Sequence, residues 1–400
     1  MRWMRVATAV VAMGTGLLVP AVGHAEDEEK DDDKKPSLTG GYDEKNGFHI
    51  QSEDGNYLLG IGLQAGYKLE PVFLDGKAES RTAFSFLRPI LRGNIYRPWI
   101  RFWTSLELAD PPIYLLDSLV EIQPIDEVGI RAGQQYTPLS RHESWGPQQI
   151  LFPEFSTIAN YYWTGRDKGV TIFGTMEHLE YYVGIYGGSP LRSIRSEPGK
   201  YQFNARATFS PMGKPGYGEL PYIMSGDKEP PPLNVSFTLQ GAGGEVTQVK
   251  ENFNPESGVF QILREGDRRF ITGGVDLFIQ ARRFSFFGEL YYSRTDPQDA
   301  SQNFSSFGAW VQADYVFYKK VLDAAVRLSF LNPSFDLDDD LLYIAEAQLG
   351  WFVNAPHLAF KLRYQLAHQE AAAGAEAASV VIPKDAGTSQ LITLQLNLAF

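Results

Sequence analysis

The chain has 400 residues, no cysteine and a formal net charge of -12 at pH 7. The missing cysteines exclude a disulfide framework and any thiolate metal site, and the acidic balance argues against a nucleic-acid partner. Beyond the first residues no stretch approaches the ~20 apolar residues of a membrane helix, so a helical membrane protein is excluded as well.

The N-terminus reads as a secretory signal. Arg2 and Arg5 supply its charged region, Val6 to Val22 its apolar region, and Gly23-His24-Ala25 a small-x-small cleavage site. The cut is placed after Ala25. A membrane-anchoring helix is the rival reading, and the cleavage site argues for removal. Losing Arg2 and Arg5 takes the formal charge from -12 to -14. Residues 26–54 follow as an acidic segment expected to be disordered. It opens with EDEEKDDDKK, seven acids and three lysines with nothing apolar to bury. A solvated tail is expected there rather than a metal-binding run.

From residue 55 onward the chain alternates with period two, the pattern of strands with one apolar face. In the first strand Leu59, Ile61, Leu63, Ala65, Tyr67 and Leu69 form the apolar face. Gly60, Gly62, Gln64, Gly66 and Lys68 form the polar one. Strands are predicted near 57–70, 82–96, 99–109, 113–123, 127–135, 167–175, 177–187, 200–211, 233–242, 269–280, 284–295, 305–317, 320–331, 342–353, 357–369 and 390–400, sixteen in all. Tight turns at Arg97-Pro98, Arg282-Arg283, Lys319-Lys320 and Asn354-Ala355-Pro356 alternate with longer loops. The longest loop runs from about 136 to 166, and two more lie at 243–268 and 370–390. The Pro- and Gly-rich stretch Pro211 to Pro232 falls at the end where turns are short. It is either a decorated turn or a sign of a miscounted hairpin.

The final strand is the cleanest. Ile392, Leu394, Leu396, Leu398 and Phe400 point one way, and Thr393, Gln395, Asn397 and Ala399 the other. A strand ending at the carboxyl terminus leaves an open edge, and closing a barrel removes it. A terminal Phe after alternating apolar residues also resembles the recognition signal of bacterial outer-membrane barrels, which implies the barrel-assembly machinery as a partner through Phe400. Aromatics at 13% and 38 glycines suit the two interfacial girdles and bent strands of such a barrel. The predicted fold is therefore an all-β, 16-stranded antiparallel transmembrane β-barrel over residues 55–400. It would sit in the bacterial outer membrane, against lipid and lipopolysaccharide. Sixteen strands leave an aqueous channel, whereas about eight would be filled by side chains.

A basic residue facing lipid at mid-depth would cost about 2–4 kcal/mol, so strand charges are expected to face the lumen. The basic set is Lys68, Arg88, Arg92, Arg101, Arg131, Arg206, Arg327, Lys361 and Arg363. The acidic set is Glu70, Glu107, Asp117, Glu121, Glu180, Asp276, Glu289, Asp314, Asp323 and Glu346. The counts nearly cancel, but their placement does not. Strands fifteen, sixteen, one, two and three form a basic wall, and strands ten to fourteen an acidic one. Two such walls set up a transverse field. The alternative is local pairing that merely keeps the lumen wet.

From strand five on, the sequence resembles a known family. IRAGQQYTPLSRHES at Ile130 to Ser144 is similar to the Gly-x-Phe-x-x-Pro stretch of the phosphate-selective porin O and P family. TGRDKGVTIFG at Thr164 to Gly174 is similar to that family's Arg-Asp-x-Gly segment. LEYYVGIYGG at Leu179, FGELYYSR at Phe287 and AVRLSFLNP at Ala325 follow in the family's order. The resemblance covers about Arg88 to Phe400. It implies a sixteen-stranded porin, usually trimeric, whose third external loop folds inward. Here that constriction loop is Tyr136 to Arg166, with Arg141, His142, Glu143, Trp145 and Arg166. The sequence lacks the dense lysine cluster of the phosphate-selective members.

The function read from the sequence is passive diffusion of small hydrophilic solutes, anions such as phosphate among them. No cofactor, metal or catalytic residue is expected. A non-conducting structural or adhesive barrel is the alternative, and a barrel enzyme is a remote one. Neither a Gly-x-Ser-x-Gly elbow nor a histidine beside a nucleophile is present.

Overall fold

Alternation becomes one closed sheet. A computed structural model describes residues 37–43, 46–74, 77–109, 113–189, 198–213, 218–225, 232–248, 263–264, 266–298, 303–370, 380–381 and 387–400. The signal sequence read over 1–25 and the acidic run through residue 36 lie outside these residues.

The chain enters through two short strands, β1 (Leu38–Asp43) and β2 (Gly47–Ser52). The wall begins with β3 (Leu58–Leu74), β4 (Lys77–Ile95), β5 (Arg97–Glu107), β6 (Tyr114–Ile125) and β7 (Val128–Tyr136). It continues with β8 (Arg166–Thr175), β9 (Leu179–Tyr186), β10 (Gln202–Phe209) and β11 (Leu233–Gln248). A two-residue strand, β12 (Leu263–Arg264), precedes β13 (Gly266–Ala281), β14 (Phe284–Pro297), β15 (Phe304–Tyr318) and β16 (Leu322–Asn332). Then come β17 (Leu342–Asn354), β18 (Leu358–Gln369), the short β19 (Val380–Val381) and β20 (Gly387–Ala399). Strands β12 and β19 pair with each other, apart from the main sheet. The sixteen wall strands pair antiparallel in chain order, and β20 against β3 closes the ring. All sixteen coincide with the predicted segments.

Register fixes the faces. Gln395 opposes Lys68 inside, and Leu394 opposes Leu69 outside. Leu394 is 48% exposed, while its neighbour Thr393 is completely buried. The outer face is therefore the apolar one, as contact with lipid tails requires. An arginine in place of Leu394 is expected to lower barrel stability by about 2–4 kcal/mol, read from urea unfolding in lipid vesicles. An unchanged midpoint would mean that this face does not meet lipid. The tight turns close the other end. Lys319 and Lys320 both take positive φ, 40° and 59°, as a two-residue hairpin turn with the twist of its strands demands.

The N-terminal segment corrects the sequence reading. Residues 38–52 fall inside the segment expected to be disordered, yet they form a hairpin docked on the barrel seam. Strand β20 leaves β3 at Gln64, and β2 takes over the same edge from Ile61 to Leu58. Phe48 packs edge-on to Phe400 with ring centroids 5.7 Å apart. Gly47 makes the docking possible. It has φ +70°, and a Cβ there would sit 2.5 Å from the Ile61 carbonyl oxygen. Six-residue strands carry little local signal, and the hairpin exists because the seam offers a free edge.

The main apolar clusters lie inside the barrel. One joins Leu139, Ile158, Tyr162, Tyr291, Trp310, Leu331 and Ile344. The other joins Leu151, Phe152, Leu220, Ile223, Val316, Phe352 and Ala359. Each combines wall residues with residues of connecting segments, so the lumen of this half is filled by chain.

Candidate permeation pathway

The segment between β7 and β8 folds into the barrel. The ladder ends at Tyr136 opposite Arg166, and Thr137 then donates its N–H to the Gly165 carbonyl. Beyond that neck the loop carries a 3-10 turn at His142–Ser144 and a short helix, α1 (Thr157–Tyr162). Ser156 caps α1 by accepting from the Ile158 N–H at 3.2 Å.

The acidic wall holds this loop. Glu289 accepts from the Ser140 hydroxyl and from the Arg141 and His142 N–H groups at 3.0–3.2 Å. Tyr291 and Trp310 donate to the same carboxylate at 2.7 and 3.2 Å. Arg141 donates to Ser236 at 2.7 Å and lies 3.4 Å from Asp276. Its guanidinium is layered among Trp145, Phe278 and Phe287. Glu143, buried beside them, donates its amide N–H to the Ser140 hydroxyl at 3.1 Å. Further along, Lys361 donates to the Ile150 and Phe152 carbonyls, and Gln348 to that of Leu151. Arg327 donates to the Glu154 carbonyl at 3.1 Å and stacks on Phe152.

Glu154, which the sequence reading did not single out, anchors the far end. Its carboxylate meets Lys68 at 2.7 Å and Arg363 at 3.3 Å. Arg363 also reaches Glu346 at 3.2 Å, and Glu346 is forked by Arg327. Three of the expected basic-wall residues, Lys68, Arg363 and Lys361, are thus engaged by the loop. On this stretch the inward loop therefore lies against the basic wall as well.

The puzzling Pro- and Gly-rich stretch supplies the second half of the plug. It is one decorated turn between β10 and β11, with a short helix, α2 (Pro221–Met224), inside the barrel end. Leu220 and Ile223 enter the second apolar cluster. Glu219 accepts from the Leu151 N–H at 2.7 Å and from the His142 Nδ1. Ser156 donates its N–H to the His142 Nε2 at 2.8 Å, so the ring carries its proton on Nδ1, toward Glu219. Loop and turn are locked to each other through this one imidazole.

Burial pushes the carboxyls of Glu154 and Glu219 up. It is outweighed by Lys68 and Arg363 at Glu154, and by His142 and the Leu151 amide at Glu219, so both end below the ordinary range. A depressed carboxyl holds its stabilisation above its unfolded value and loses it as pH falls through the folded one. The plug is therefore expected to stay docked from neutral pH to below about pH 4 and to loosen only in stronger acid. Single-channel conductance recorded down a pH series checks this, and a conductance step between pH ~6 and ~5 would contradict it.

The plug leaves the two sides of the lumen unequal. Asp276, Glu289, Asp314, Asp323 and Glu346 are between 0% and 6% exposed. The water-accessible lumen charges cluster on β4 to β8, and Glu180 of β9 is also 30% exposed. Arg88 pairs with Glu107, and Arg101 and Arg131 both pair with Glu121. Arg166 pairs with Asp117 at 2.9 Å. In each pair the arginine reaches further into water: Arg101 and Arg131 are 46% and 24% exposed against 11% for Glu121. The carboxylates sit close to the wall, and the long guanidinium stems project from it. The Arg206–Glu180 pair at 3.5 Å reverses this order: Arg206 is 3% exposed, lying over Tyr182 and bonded to the Ser140 carbonyl, and Glu180 is 30% exposed. Arg92 lies on the accessible side beside Trp103.

The sequence from residue 92 to 400 matches the family model described as phosphate-selective porin O and P. No curated protein sequence matches the chain significantly. Three solved structures share its architecture. An anion-selective porin from Comamonas acidovorans superposes with a TM-score of 0.59 at 12% identity, covering 86% of this chain and 99% of its own. The outer membrane channel DcaP of Acinetobacter baumannii gives 0.54 at 13%, covering 88% and 99%. OmpT of Vibrio cholerae, in its trimer form, gives 0.54 at 10%, covering 86% and 99%. At these identities the likeness shows the fold.

Proposed function

Since this chain belongs to the phosphate-selective porin O and P family and is a passive channel of the bacterial outer membrane, we propose that it favours small hydrophilic anions. One observation carries the preference. The inward loop covers the acidic wall, while the arginines of β4 to β7 meet the water. Charge counts alone give no preference; coverage does. A channel selects by the charges that line its open path, and buried, compensated carboxylates contribute little to that field. Phosphate is one such anion among several, because the exposed bases form a spaced row of arginines and no dense lysine cluster.

The remaining assignments follow from the same reading. The outer face meets lipid and lipopolysaccharide, Phe400 serves barrel assembly, and three copies associate, as in the OmpT trimer form. A catalytic part for Glu289 and Glu346 is disfavoured, because they are taken up by loop donors and arginines.

Purified protein in planar bilayers tests the proposal. It is expected to give stepwise conductance, with a reversal potential in a potassium chloride gradient displaced toward chloride. A silent bilayer would leave the non-conducting barrel, and displacement toward potassium would overturn the anion preference.

A further inference from the structure

The open side of the lumen wall is not polar throughout. Directly opposed across four strands stand Trp103 of β5, Leu119 of β6, Gly133 of β7 and Gly169 of β8. They share the parity of Arg101, Glu121 and Arg131, so all four face the lumen, and all four are half-exposed. The two glycines keep the strip bare. A Cβ on Gly133, at φ +127°, would stand 2.2 Å from the Ser118 carbonyl oxygen, and one on Gly169 2.2 Å from that of Ile185. The strip is thus an indole, an isobutyl group and two uncovered peptides. Apolar surface left in channel water costs free energy, and a passive hole for ions has no use for it.

Ion pairs run along both edges of the strip. On β6, Leu119 lies between Asp117 and Glu121, so each edge is about 7 Å from the strip's centre line. On one edge Glu121 is held between Arg101 and Arg131, with the Arg131 Nη2 at 2.6 Å. On the other, Asp117 accepts from the Arg166 Nε at 2.9 Å and from the Ser105 Oγ at 3.1 Å. Trp163 of the inward loop stands at this second edge, its ring centre 5.6 Å from the Arg166 guanidinium carbon, and stacks on Tyr136.

A sugar ring has the same division. Its C–H faces are apolar, and its hydroxyls project around the rim, each able to donate and to accept. Laid on the strip, the ring covers Trp103 and Leu119 and brings its rim to both edges. An arginine beside a carboxylate answers both halves of a hydroxyl, because the guanidinium donates and the carboxylate accepts. An open-chain polyol offers the same hydroxyls without a flat apolar face.

We infer that the strip Trp103–Leu119–Gly133–Gly169, with its flanking ion pairs, is a binding station for neutral saccharides in the channel. The inference rests on the water path proposed along the arginine side. It goes beyond the anion preference and does not depend on the sign of the ions that pass.

The test uses the full chain in planar bilayers, with glucose and maltose as probes of the potassium chloride current and sorbitol as the open-chain control. Both sugars are expected to lower wild-type current saturably, beyond the fall that sorbitol at equal mass concentration causes through viscosity. Trp103→Ala is expected to raise the half-blocking concentration about fivefold, the value of one aromatic contact. Leu119→Asn acts in the same direction, and Trp103→Phe restores most of the block. Trp351→Ala removes a ring from the outer face and keeps the block.

Equal effects of glucose, maltose and sorbitol overturn the inference, and so does a saturable block that survives in both Trp103→Ala and Leu119→Asn. Labelling of Trp103→Cys by an impermeant thiol reagent separates the two readings. With Trp103→Cys labelled, absence of sugar block sinks the saccharide station alone; with it unlabelled, the water path fails and the station with it. Reversal potentials in the same recordings read the anion preference independently, and stepwise conductance in each variant shows that the barrel has folded.

Discussion

Cutting the inward loop back to a tight turn is expected to raise single-channel conductance several-fold and to shift an anion-preferring channel toward cations. The cut is feasible because the β7–β8 ladder is complete up to Tyr136 and Arg166. A short Gly-rich turn replacing residues 138–164 would join the two strands without disturbing a wall pair. The loop fills the half of the lumen bordered by β13 to β18, and its removal opens that half to water. It also uncovers Asp276, Glu289 and Glu346, now buried beneath Arg141, Ser140 and Glu154. Glu346 would keep Arg327 and Arg363, whereas Asp276 would lose Arg141 and Glu289 its loop donors, and both would line the path. Conductance and reversal potential in a salt gradient read both effects. A larger pore with unchanged anion preference would mean that coverage of the acidic wall does not set selectivity.

The largest loss of stability is expected at Arg363. Its side chain is 1% exposed and stands among Glu154, Glu346 and Glu70, at 3.3, 3.2 and 4.0 Å. It also donates to Thr393 at 2.9 Å. Arg363→Met removes the cation common to three carboxylates in a site with little water. Removing one partner of a buried ionic cluster costs about 3–5 kcal/mol, most of it the charge left behind. The loss should appear as a lowered urea midpoint for the folded barrel. Adding Glu154→Gln to Arg363→Met should recover part of it, because one stranded charge is gone. A shift below about 1 kcal/mol would mean the cluster behaves like a surface pair.

The wall was legible because its signal is local. Leu59 to Leu69 and Ile392 to Phe400 alternate residue by residue, and lipid on one side makes that alternation obligatory. Parity alone was enough to assign Arg88, Glu121 or Arg327 to a face. The plug was legible only in outline. Length and the family resemblance pointed to Tyr136–Arg166, but nothing in that stretch says which wall it covers. That choice is made by partners far along the chain: Glu289, Gln348 and Lys361 for the loop, and Lys68 with Arg363 for Glu154. Glu219 was hidden for the same reason, since its meaning comes from His142 and Leu151. The hairpin at Leu38–Ser52 depends on where β20 stops along β3, which no local pattern records.

A chain without cysteine allows one direct measurement of the central claim, that water follows the arginine side and not the acidic side. Single substitutions would place a thiol at Trp103 or Leu119 on the open side, and at Gln348 or Ser329 beneath the loop. A charged, membrane-impermeant thiol reagent is expected to modify the protein rapidly after Trp103→Cys and Leu119→Cys and to leave Gln348→Cys and Ser329→Cys unmodified. Equal labelling of the two sides, or faster labelling at Gln348→Cys and Ser329→Cys, would contradict the account.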